Sequence, residues 1–500
     1  MKPNRATRRG AKRYFGAVLP VLLLAGCGIV GPKYQKPPVR LPDTFRYQIA
    51  ATDAGSFADL PWFTVFNDQA LQALINEALA NNYDLQVAVA KIEQARALVG
   101  VVQSQAKPQV GYEAFGGGQN EIAPFAGGSR SINYGNFGGL LNAAWEFDVW
   151  GRIQHATESA EANLLAQEDV RRAVILTLVS DIAADYFHLL ELDGELQIAQ
   201  ESARVYKSTL DLFTLRFNAG RDSRLPVERA QAAYDSSTAD IQDLTRQIAI
   251  QENAISTLVG GYPRSIPRGR PLIEQMVPQT PLGTTTALLQ RRPDILQAEQ
   301  NMIGANAEIG VAVANFFPKI GLSTFVGAEA VVASGWAGFP LWSLALSAAG
   351  PIYTGGRLES AYRERQAYWD ETVAHYKQLV LVAFRETSDA LAAQQTLGGR
   401  RTALESQVRA LQQSAELALQ RYEAGRASYF EVLEAQQLLF PAQDSLAQTI
   451  RDQLLAVVNL YKALGGGWNA PPPSLNPPPP APPSGPSPLA VQLPSQAGGE

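Results

Sequence analysis

The chain has 500 residues, with 42 Lys or Arg against 47 Asp or Glu, and a formal net charge of −5. Residues 1–26 hold six basic and no acidic residues, so the remainder carries −11. An acidic surface without a basic and aromatic patch argues against nucleic acid as a partner.

The N-terminus has the pattern of a lipoprotein signal peptide over residues 1–26. A basic region precedes the apolar run 15–25, which ends in Leu24-Ala25-Gly26-Cys27, a lipobox. We predict that Cys27 carries the lipid and begins the mature chain. Gly28, rather than an aspartate, follows it, so we expect delivery to the outer membrane. Prolines then predict an extended segment over 27–67.

Residues 68–262 form the first half of an internal repeat. Amphipathic apolar faces predict its two opening helices. The apolar residues Leu141 and Trp145 belong to a period-2 alternation that is typical of a strand with one polar face. The elements predicted in this part are helices over 68–82 and 84–106 and a β-hairpin about 108–149, with strands near 108–119 and 141–148 and a Gly- and Ser-rich loop over 120–136.

A long helix over 151–218 dominates this repeat. Its 68 residues contain no proline, and as one helix they would extend roughly 100 Å. Apolar residues recur at alternating steps of three and four, a seam that requires a partner helix. The seam consists of Leu189, Leu192, Leu196, Ala199, Ala203, Tyr206, Leu210, Phe213 and Phe217. Gly220 ends the helix, and a return helix at about 227–259 completes an antiparallel hairpin.

A linker over 263–282 leads to a second repeat, 283–467, displaced by 205 residues. Its predicted elements are a helix over 294–317, a β-hairpin about 318–353, a long helix over 356–423 and a return helix at about 428–464. Pro441 predicts a kink in the return helix. The proline-rich tail 468–500 is predicted to be disordered.

The four strands carry an implication for assembly. Their length of about ten residues suits a tilted membrane strand, but an open sheet would leave unpaired edges in lipid. The barrel must therefore close between subunits. Eight strands from a dimer would be filled by side chains, whereas twelve leave a lumen. A homotrimer is the smallest assembly that conducts.

Four motifs resemble the TolC-like outer-membrane factors, and within them the NodT-type lipoproteins of tripartite efflux systems. They are Cys27-Gly28-Ile29-Val30-Gly31-Pro32-Lys33-Tyr34, Trp145-Glu146-Phe147-Asp148-Val149-Trp150-Gly151-Arg152, Arg291-Arg292-Pro293-Asp294-Ile295 and Asn315-Phe316-Phe317-Pro318-Lys319-Ile320. The resemblance implies a mainly α fold with a small β part: long helical hairpins forming a trimeric α-barrel, and four strands per subunit completing a twelve-stranded β-barrel. It also implies a passive exit duct in the outer membrane, with a long periplasmic extension.

The same resemblance implies partners and site residues. The partners are a periplasmic adaptor, an inner-membrane transporter of the resistance-nodulation-division type, and outer-membrane lipid. Tyr422, Glu431 and Glu434 correspond to the periplasmic gate, with Arg421 and Arg426 as counter-charges. The adaptor would contact the tips at Gly220, Arg221, Gly425 and Ser428. Many relatives carry an acid before Val227, where this chain has Pro226.

Several residues have simpler interpretations. Glu431 and Glu434, three apart on a helix, are by default a solvated face. Asp294 with Gln297 predicts an N-terminal capping box. Glycines at matching points of the long helices predict close helix packing; they are Gly194, Gly398 and Gly399.

No catalytic, cofactor or metal site is predicted. His155 with Glu158 and His188 with Glu191 have helical spacing, but without further ligands they are interpreted as surface polar pairs. No phosphate-binding loop or nucleophile motif occurs, so a partner must supply the energy for transport.

Two alternatives stay open at this point. The same duct could serve type I protein secretion, although the lipobox and the Gly-Pro-x-Tyr segment favour small-molecule efflux. A structural coiled-coil lipoprotein of the periplasm would leave the four amphipathic strands unexplained.

Overall fold

The structure is a computed structural model that describes residues 28–47, 61–65, 67–125, 128–278, 288–332 and 336–466. The predicted signal peptide, Cys27 and the tail 468–500 lie outside the described residues. The described parts of the N-terminal segment are 28–47, which contain neither helix nor strand, as predicted, and 61–65 with 67, where Trp62–Val65 form a short helix and the prediction of an extended chain is wrong. Residues 28–47 contact both repeats. The Val30 N–H donates to the Trp150 carbonyl of the first repeat at 3.2 Å, and Lys36 pairs with Glu299 of the second repeat at 2.6 Å.

A short helix, α1 (Trp62–Val65), precedes the first repeat, which opens with α2 (Gln69–Asn81) and α3 (Tyr83–Ser104). Asp68 caps α2 by accepting from the Ala70 N–H at 2.9 Å, and Asn82 caps α3 by accepting from the Leu85 N–H at 3.0 Å. Each cap satisfies a backbone donor that has no partner within its helix. These two residues therefore set the helix boundaries close to those predicted.

Four strands form one antiparallel sheet in the order β1-β2-β3-β4. The strands are β1 (Gln109–Phe125), β2 (Gly128–Phe147), β3 (Lys319–Val332) and β4 (Trp336–Ala349). The two repeats meet at the β2–β3 pair, where Leu141 lies opposite Val326. Within the described residues, β1 and β4 each pair on one side, so both outer edges are available for closure with other subunits.

The predicted loop over 120–136 is wrong. β1 and β2 continue through it, with Asn120 paired to Asn133 and the ladder reaching Phe125 opposite Gly128. The Asn120 side-chain amide donates to the Ser131 hydroxyl at 2.6 Å and contacts the Asn133 amide oxygen. Backbone pairing does not depend on apolar alternation, so glycine- and serine-rich strands give no period-2 signal.

Both long helices form as predicted. α4 (Arg152–Asn218) and α8 (Arg357–Glu423) have 67 residues each. The return helix α5 (Arg224–Leu258) packs on α4, and α9 (Tyr429–Ala463) packs on α8 and α4. α5 begins three residues before the predicted start and takes in Pro226. A proline is tolerated there because backbone N–H groups in a first turn have no helical partner.

The main core surrounds the middle of α4. It includes Ile182, Tyr186, Tyr376 on α8 and Tyr461 on α9, all 0% exposed. By length and composition, one stretch of α4 could cross a membrane, but 61% of it is buried in the subunit. Burial against neighbouring helices accounts for that apolar stretch.

One local prediction is wrong. The short helix α6 (Leu288–Arg291) precedes α7 (Pro293–Ala314), in which proline takes the first position and Asp294 lies inside the first turn. Asp294 pairs with Arg292 at 2.7 Å and accepts from the Ile295 N–H at 2.9 Å, but the N-cap residue is Arg292, so the predicted capping box does not form. A second local prediction concerns the glycines of the long helices. A side chain built at Gly194 or Gly399 would meet no atom within 4 Å, so close packing inside the subunit does not explain these glycines.

Candidate functional site at the hairpin tips

Each long helix ends in the same glycine turn. Gly220 has φ +70° and Gly425 has φ +69°, a left-handed conformation that favours glycine. The Arg426 N–H donates to the Arg421 carbonyl at 2.8 Å, and the Gly425 N–H donates to the Tyr422 carbonyl at 2.9 Å. The first tip repeats this pattern between Arg221 and Arg216, at 2.9 Å. Both turns are Schellman motifs.

The return helices then start at equivalent points. Ser223 precedes α5 and Ser428 precedes α9, both in an extended conformation. The 205-residue displacement therefore aligns the two tips residue by residue. The pairs that matter here are Arg216 with Arg421, Phe217 with Tyr422, Arg224 with Tyr429, Pro226 with Glu431, and Arg229 with Glu434. The predicted gate carboxylates thus have proline and arginine as counterparts in the first tip.

Charged side chains at the tips pair within their own hairpin. Arg421 lies 3.0 Å from Glu431, and Arg216 lies 3.7 Å from Asp222. Glu434 is exposed on the next turn of α9. In addition, the tip residues Arg221, Gly220, Gly425, Arg426 and Ser428 are all exposed.

Aromatic side chains join the two hairpins. The Tyr429 ring, on α9, lies 4.7 Å from Phe213 on α4 in an edge-to-face arrangement and 5.1 Å from Tyr422 on α8. The Tyr429 hydroxyl contacts the Thr209 hydroxyl on α4. Burial is the main cause that raises the pKa of Tyr429, so its hydroxyl stays protonated at physiological pH.

Tyr422, a predicted gate residue, is half-buried in this cluster. The Arg216 guanidinium lies 5.1 Å from its ring centroid, within cation–π range. Its hydroxyl is buried and makes no hydrogen bond to the residues that the structure describes. Sequence reasoning missed Tyr429 and Thr209. The sequence analysis identified one of their neighbours, Phe213, as part of the helix seam, but nothing in the sequence linked Phe213 to Tyr429 or Thr209.

Each histidine pair has one buried and one exposed member. His155 is 8% exposed, and its ring nitrogens lie 2.8 Å from Glu158 and 2.9 Å from the Val30 carbonyl. Glu191 is 2% exposed and pairs with both His188 and Arg451. The buried member of each pair, His155 or Glu191, contacts a second element, so the surface interpretation is wrong for these two residues and holds for Glu158 and His188.

The sheet, the paired long hairpins and the clustered tips define an outer-membrane channel subunit. A family model described as outer membrane efflux protein matches residues 74–261 and 285–466. The chain belongs to this family.

Relatives agree over nearly the whole chain. The cation efflux system protein CusC of Escherichia coli O6:H1 is 31% identical over 453 residues, which cover 89% of this chain and 97% of CusC. The solvent efflux pump outer membrane protein SrpC of Pseudomonas putida is 33% identical, with 90% and 97% covered. The crystal structure of the open state of the Neisseria gonorrhoeae MtrE outer membrane channel superposes with a TM-score of 0.78 at 29% identity, covering 88% of this chain and 99% of MtrE.

The family membership decides several predictions. The protein is an outer-membrane efflux channel of a tripartite system, with an α-barrel and a β-barrel built from three subunits and a periplasmic extension. The family consists of channels, which are not enzymes. Because the family and these relatives are efflux channels, efflux is favoured over protein secretion and over a structural tether.

Proposed function

We propose that this protein is a passive exit duct, gated at its periplasmic end and supplied by a periplasmic adaptor and an inner-membrane transporter of the resistance-nodulation-division type. The main support for the proposal is that the tips of both hairpins lie at the same end of the subunit. Two helices of 67 residues each bring Tyr422, Glu431 and Glu434 to one end of the subunit, about 100 Å from the start of those helices.

The gate follows from threefold assembly. Three copies each of Glu431 and Glu434 would surround one axis. Six carboxylates around one axis would create a strongly negative potential there, so such a ring recruits cations. Arg421, at 3.0 Å from Glu431, supplies a counter-charge for one carboxylate of each subunit, and Arg426 lies in the same turn. At physiological salt the screening length is about 8 Å, so an ion in a narrow pore still senses the ring.

The adaptor contact falls on the exposed turns. Gly220, Arg221, Gly425 and Ser428 lie at the outermost points of the hairpins, where a tip-to-tip partner has access. Pro226 and Arg229 replace the carboxylates found at the second tip. An adaptor that contacts both tips would therefore bind one basic tip, the first, and one more acidic tip, the second.

The substrate class is set outside this chain. Relatives are named for cation and for solvent efflux, so one channel design accompanies chemically different cargoes. With three methionines and three histidines, the sequence has few of the soft ligands that would mark a metal relay. We propose that the transporter selects the substrate and that this duct contributes a cation preference.

Planar bilayers test the gate. The double variant Glu431→Ala with Glu434→Ala should lose cation selectivity, and block by a trivalent cation from the periplasmic side should weaken. The matched control, Glu371→Ala with Glu416→Ala, removes the same charge from exposed positions of α8 away from the turn and should keep both properties. If the first pair behaves like the control, these carboxylates are a solvated face and the constriction lies elsewhere.

A further inference from the structure

One face of the four-stranded sheet is apolar. Residues that lie opposite each other in neighbouring strands point to the same side, so the pairing places Tyr112, Leu141, Val326 and Trp342 on this face. They are 84%, 58%, 57% and 78% exposed in the subunit. Within the described strands, this face carries no Asp, Glu, Lys or Arg. Lipid covers such a face in a membrane barrel, so the opposite face of the sheet lines the lumen.

On the lumen face, a carboxylate lies in the same row as two aromatic rings. The row crosses all four strands: Phe115 lies opposite Gly138, Gly138 opposite Glu329, and Glu329 opposite Phe339. Neighbouring strands are about 4.8 Å apart, so Phe339 is directly beside Glu329. One strand, β2, separates Glu329 from Phe115.

Gly138 allows the Phe115 ring to cover that strand. A Cβ built at Gly138 would collide with the far end of the Phe115 ring, so the ring lies across β2, on the side of Glu329. The next row repeats this arrangement. Leu140 lies opposite Gly327, and a Cβ built at Gly327 would be 2.7 Å from the Leu140 Cδ2 methyl. Both glycines therefore allow an apolar side chain to lie along the wall of the lumen.

Leu341 extends this surface, because it lies opposite Gly327 on the other side. Together the side chains form one surface, the lumen patch, which consists of Phe115, Leu140, Glu329, Phe339 and Leu341. The lumen face of a water-filled barrel is ordinarily polar, so four apolar side chains around one acid are unusual there.

The charge of Glu329 is available to a ligand. Its carboxylate accepts from the Asn136 side-chain amide at 3.4 Å, and no Lys or Arg among the described residues forms an ion pair with it. Phe339 beside it is 53% exposed. A bound cation would therefore meet an unneutralised carboxylate and an accessible ring.

We propose that the lumen patch is a transit site for organic cations that carry apolar groups, such as quaternary ammonium ions. The proposal rests on the duct described above and adds the class of cargo that its barrel contacts. An ammonium centre beside Glu329 gains from the carboxylate charge and from the rings of Phe115 and Phe339. Its apolar arms leave water when they cover Leu140 and Leu341.

The two kinds of contact set the selectivity of this site. A hydrated metal cation would gain only from the charge, and a neutral solute only from the apolar contacts. Threefold assembly supplies three such sites in one barrel. They lie beyond the start of the long helices, roughly 100 Å from the hairpin tips, so they act independently of the gate carboxylates.

Ligand-observed NMR titrations of the trimer in lipid nanodiscs measure this binding without requiring conduction, and empty nanodiscs correct for uptake by lipid. Tetrabutylammonium is the probe, and tetramethylammonium, which lacks the apolar arms, should bind about 10-fold more weakly. Phe115→Leu and Phe339→Leu should each raise the dissociation constant of tetrabutylammonium by about 2- to 5-fold, the range of one exposed cation–π contact. Glu329→Gln removes the charge and keeps the shape of the side chain, so it should raise the constant by about 2- to 5-fold as well.

Two residues of the same lumen face supply matched controls. Phe325→Leu changes a ring two rows from Glu329 and should leave the dissociation constant unchanged. Glu113→Gln removes a carboxylate that has Leu140 rather than a ring opposite it, so its effect should be smaller than that of Glu329→Gln.

Equal binding of the two ammonium ions, wild-type binding in Phe115→Leu and Phe339→Leu, or equal effects of Glu113→Gln and Glu329→Gln would each overturn the site. A trimer that binds the probe in the expected pattern but never conducts would support the site and contradict the proposed duct. A conducting trimer without this binding pattern would do the reverse.

Discussion

Arg421 and Glu431 are joined across the turn of the second hairpin at 3.0 Å, whereas the counterpart of Glu431 in the first hairpin is Pro226. In the first hairpin the matching arginine, Arg216, turns to Asp222 instead. The two repeats thus keep one backbone turn and differ in the charges placed on it. A trimer would alternate tips of these two kinds around its periplasmic mouth.

The first prediction concerns Arg421. Replacing it by methionine keeps the length of the side chain and removes the charge that partly neutralises Glu431, so cation selectivity should rise and block by a trivalent cation should strengthen. Reversal potentials in a salt gradient measure this. Arg409→Met, at an exposed site on the same helix, serves as the control. A fall in selectivity for Arg421→Met would contradict the assigned counter-charge.

The second prediction concerns Cys27. We expect mass spectrometry of the membrane-extracted protein to find an acylated N-terminal Cys27. Cys27→Ser should still give some functional channel, because the strands anchor the protein independently and one acyl chain alone binds weakly. A free, unmodified Cys27 thiol in the wild-type protein would show that the lipobox is not used.

The third prediction concerns pH. Burial, together with the nearby Glu195 and Asp240 carboxylates, raises the pKa of Asp444 on α9 to about 6. A carboxyl whose folded-state pKa is raised stabilises the fold below its unfolded pKa and loses that contribution as pH rises through about 6. Asp444→Asn should therefore raise the thermal dissociation temperature of the trimer at pH 8 and change it little near pH 4.

Asp235→Asn on α5, at an exposed position, makes the same chemical change without the buried neighbours and is the control. Equal shifts at both pH values for Asp444→Asn would mean that its titration does not contribute to stability.

The fourth prediction concerns Arg292. Its side chain is 8% exposed and bridges Asp294 on α7 and Glu386 on α8, at 2.7 Å each, and it also donates to the Ala463 carbonyl at the end of α9. Arg292→Met should cost on the order of 2–3 kcal/mol per subunit, because charge-assisted hydrogen bonds are lost.

Arg292→Lys retains the charge but not the fork geometry that spans three helices, so it should lie between wild type and Arg292→Met. Trimer dissociation on a gel run at increasing temperature measures the series. If Arg292→Lys is as stable as wild type, the positive charge of Arg292 stabilises the trimer and the geometry of its guanidinium does not.

Sequence periodicity predicted the elements that bury one apolar face against a neighbouring element. The predicted seam from Leu189 to Phe217 and the stops at Gly220 and Gly425 follow from helix geometry, and the structure confirms both long helices. Phe217, the last residue of the seam, is 40% exposed in the subunit. Residues 120–136 were not predictable in this way. Their strands are held by backbone pairing, to which Gly and Ser contribute no apolar signal.

The residues of the candidate site were predictable only where they lie on the same helix. Glu431 and Glu434 share a helix face, so spacing alone brings them together. Tyr429 and Thr209 are 220 residues apart, and their contact depends on how the second hairpin packs on the first. His155 is buried for a similar reason, since the Val30 carbonyl reaches it from the N-terminal segment. Tertiary contacts of this kind leave no local pattern.

Electron cryomicroscopy of the purified protein in a lipid nanodisc tests the central claim most directly. The account predicts threefold particles in which twelve strands close one barrel, with the narrowest point of the periplasmic end lined by Tyr422, Glu431 and Glu434. Particles of another symmetry, or a constriction formed away from these hairpin tips, would contradict it.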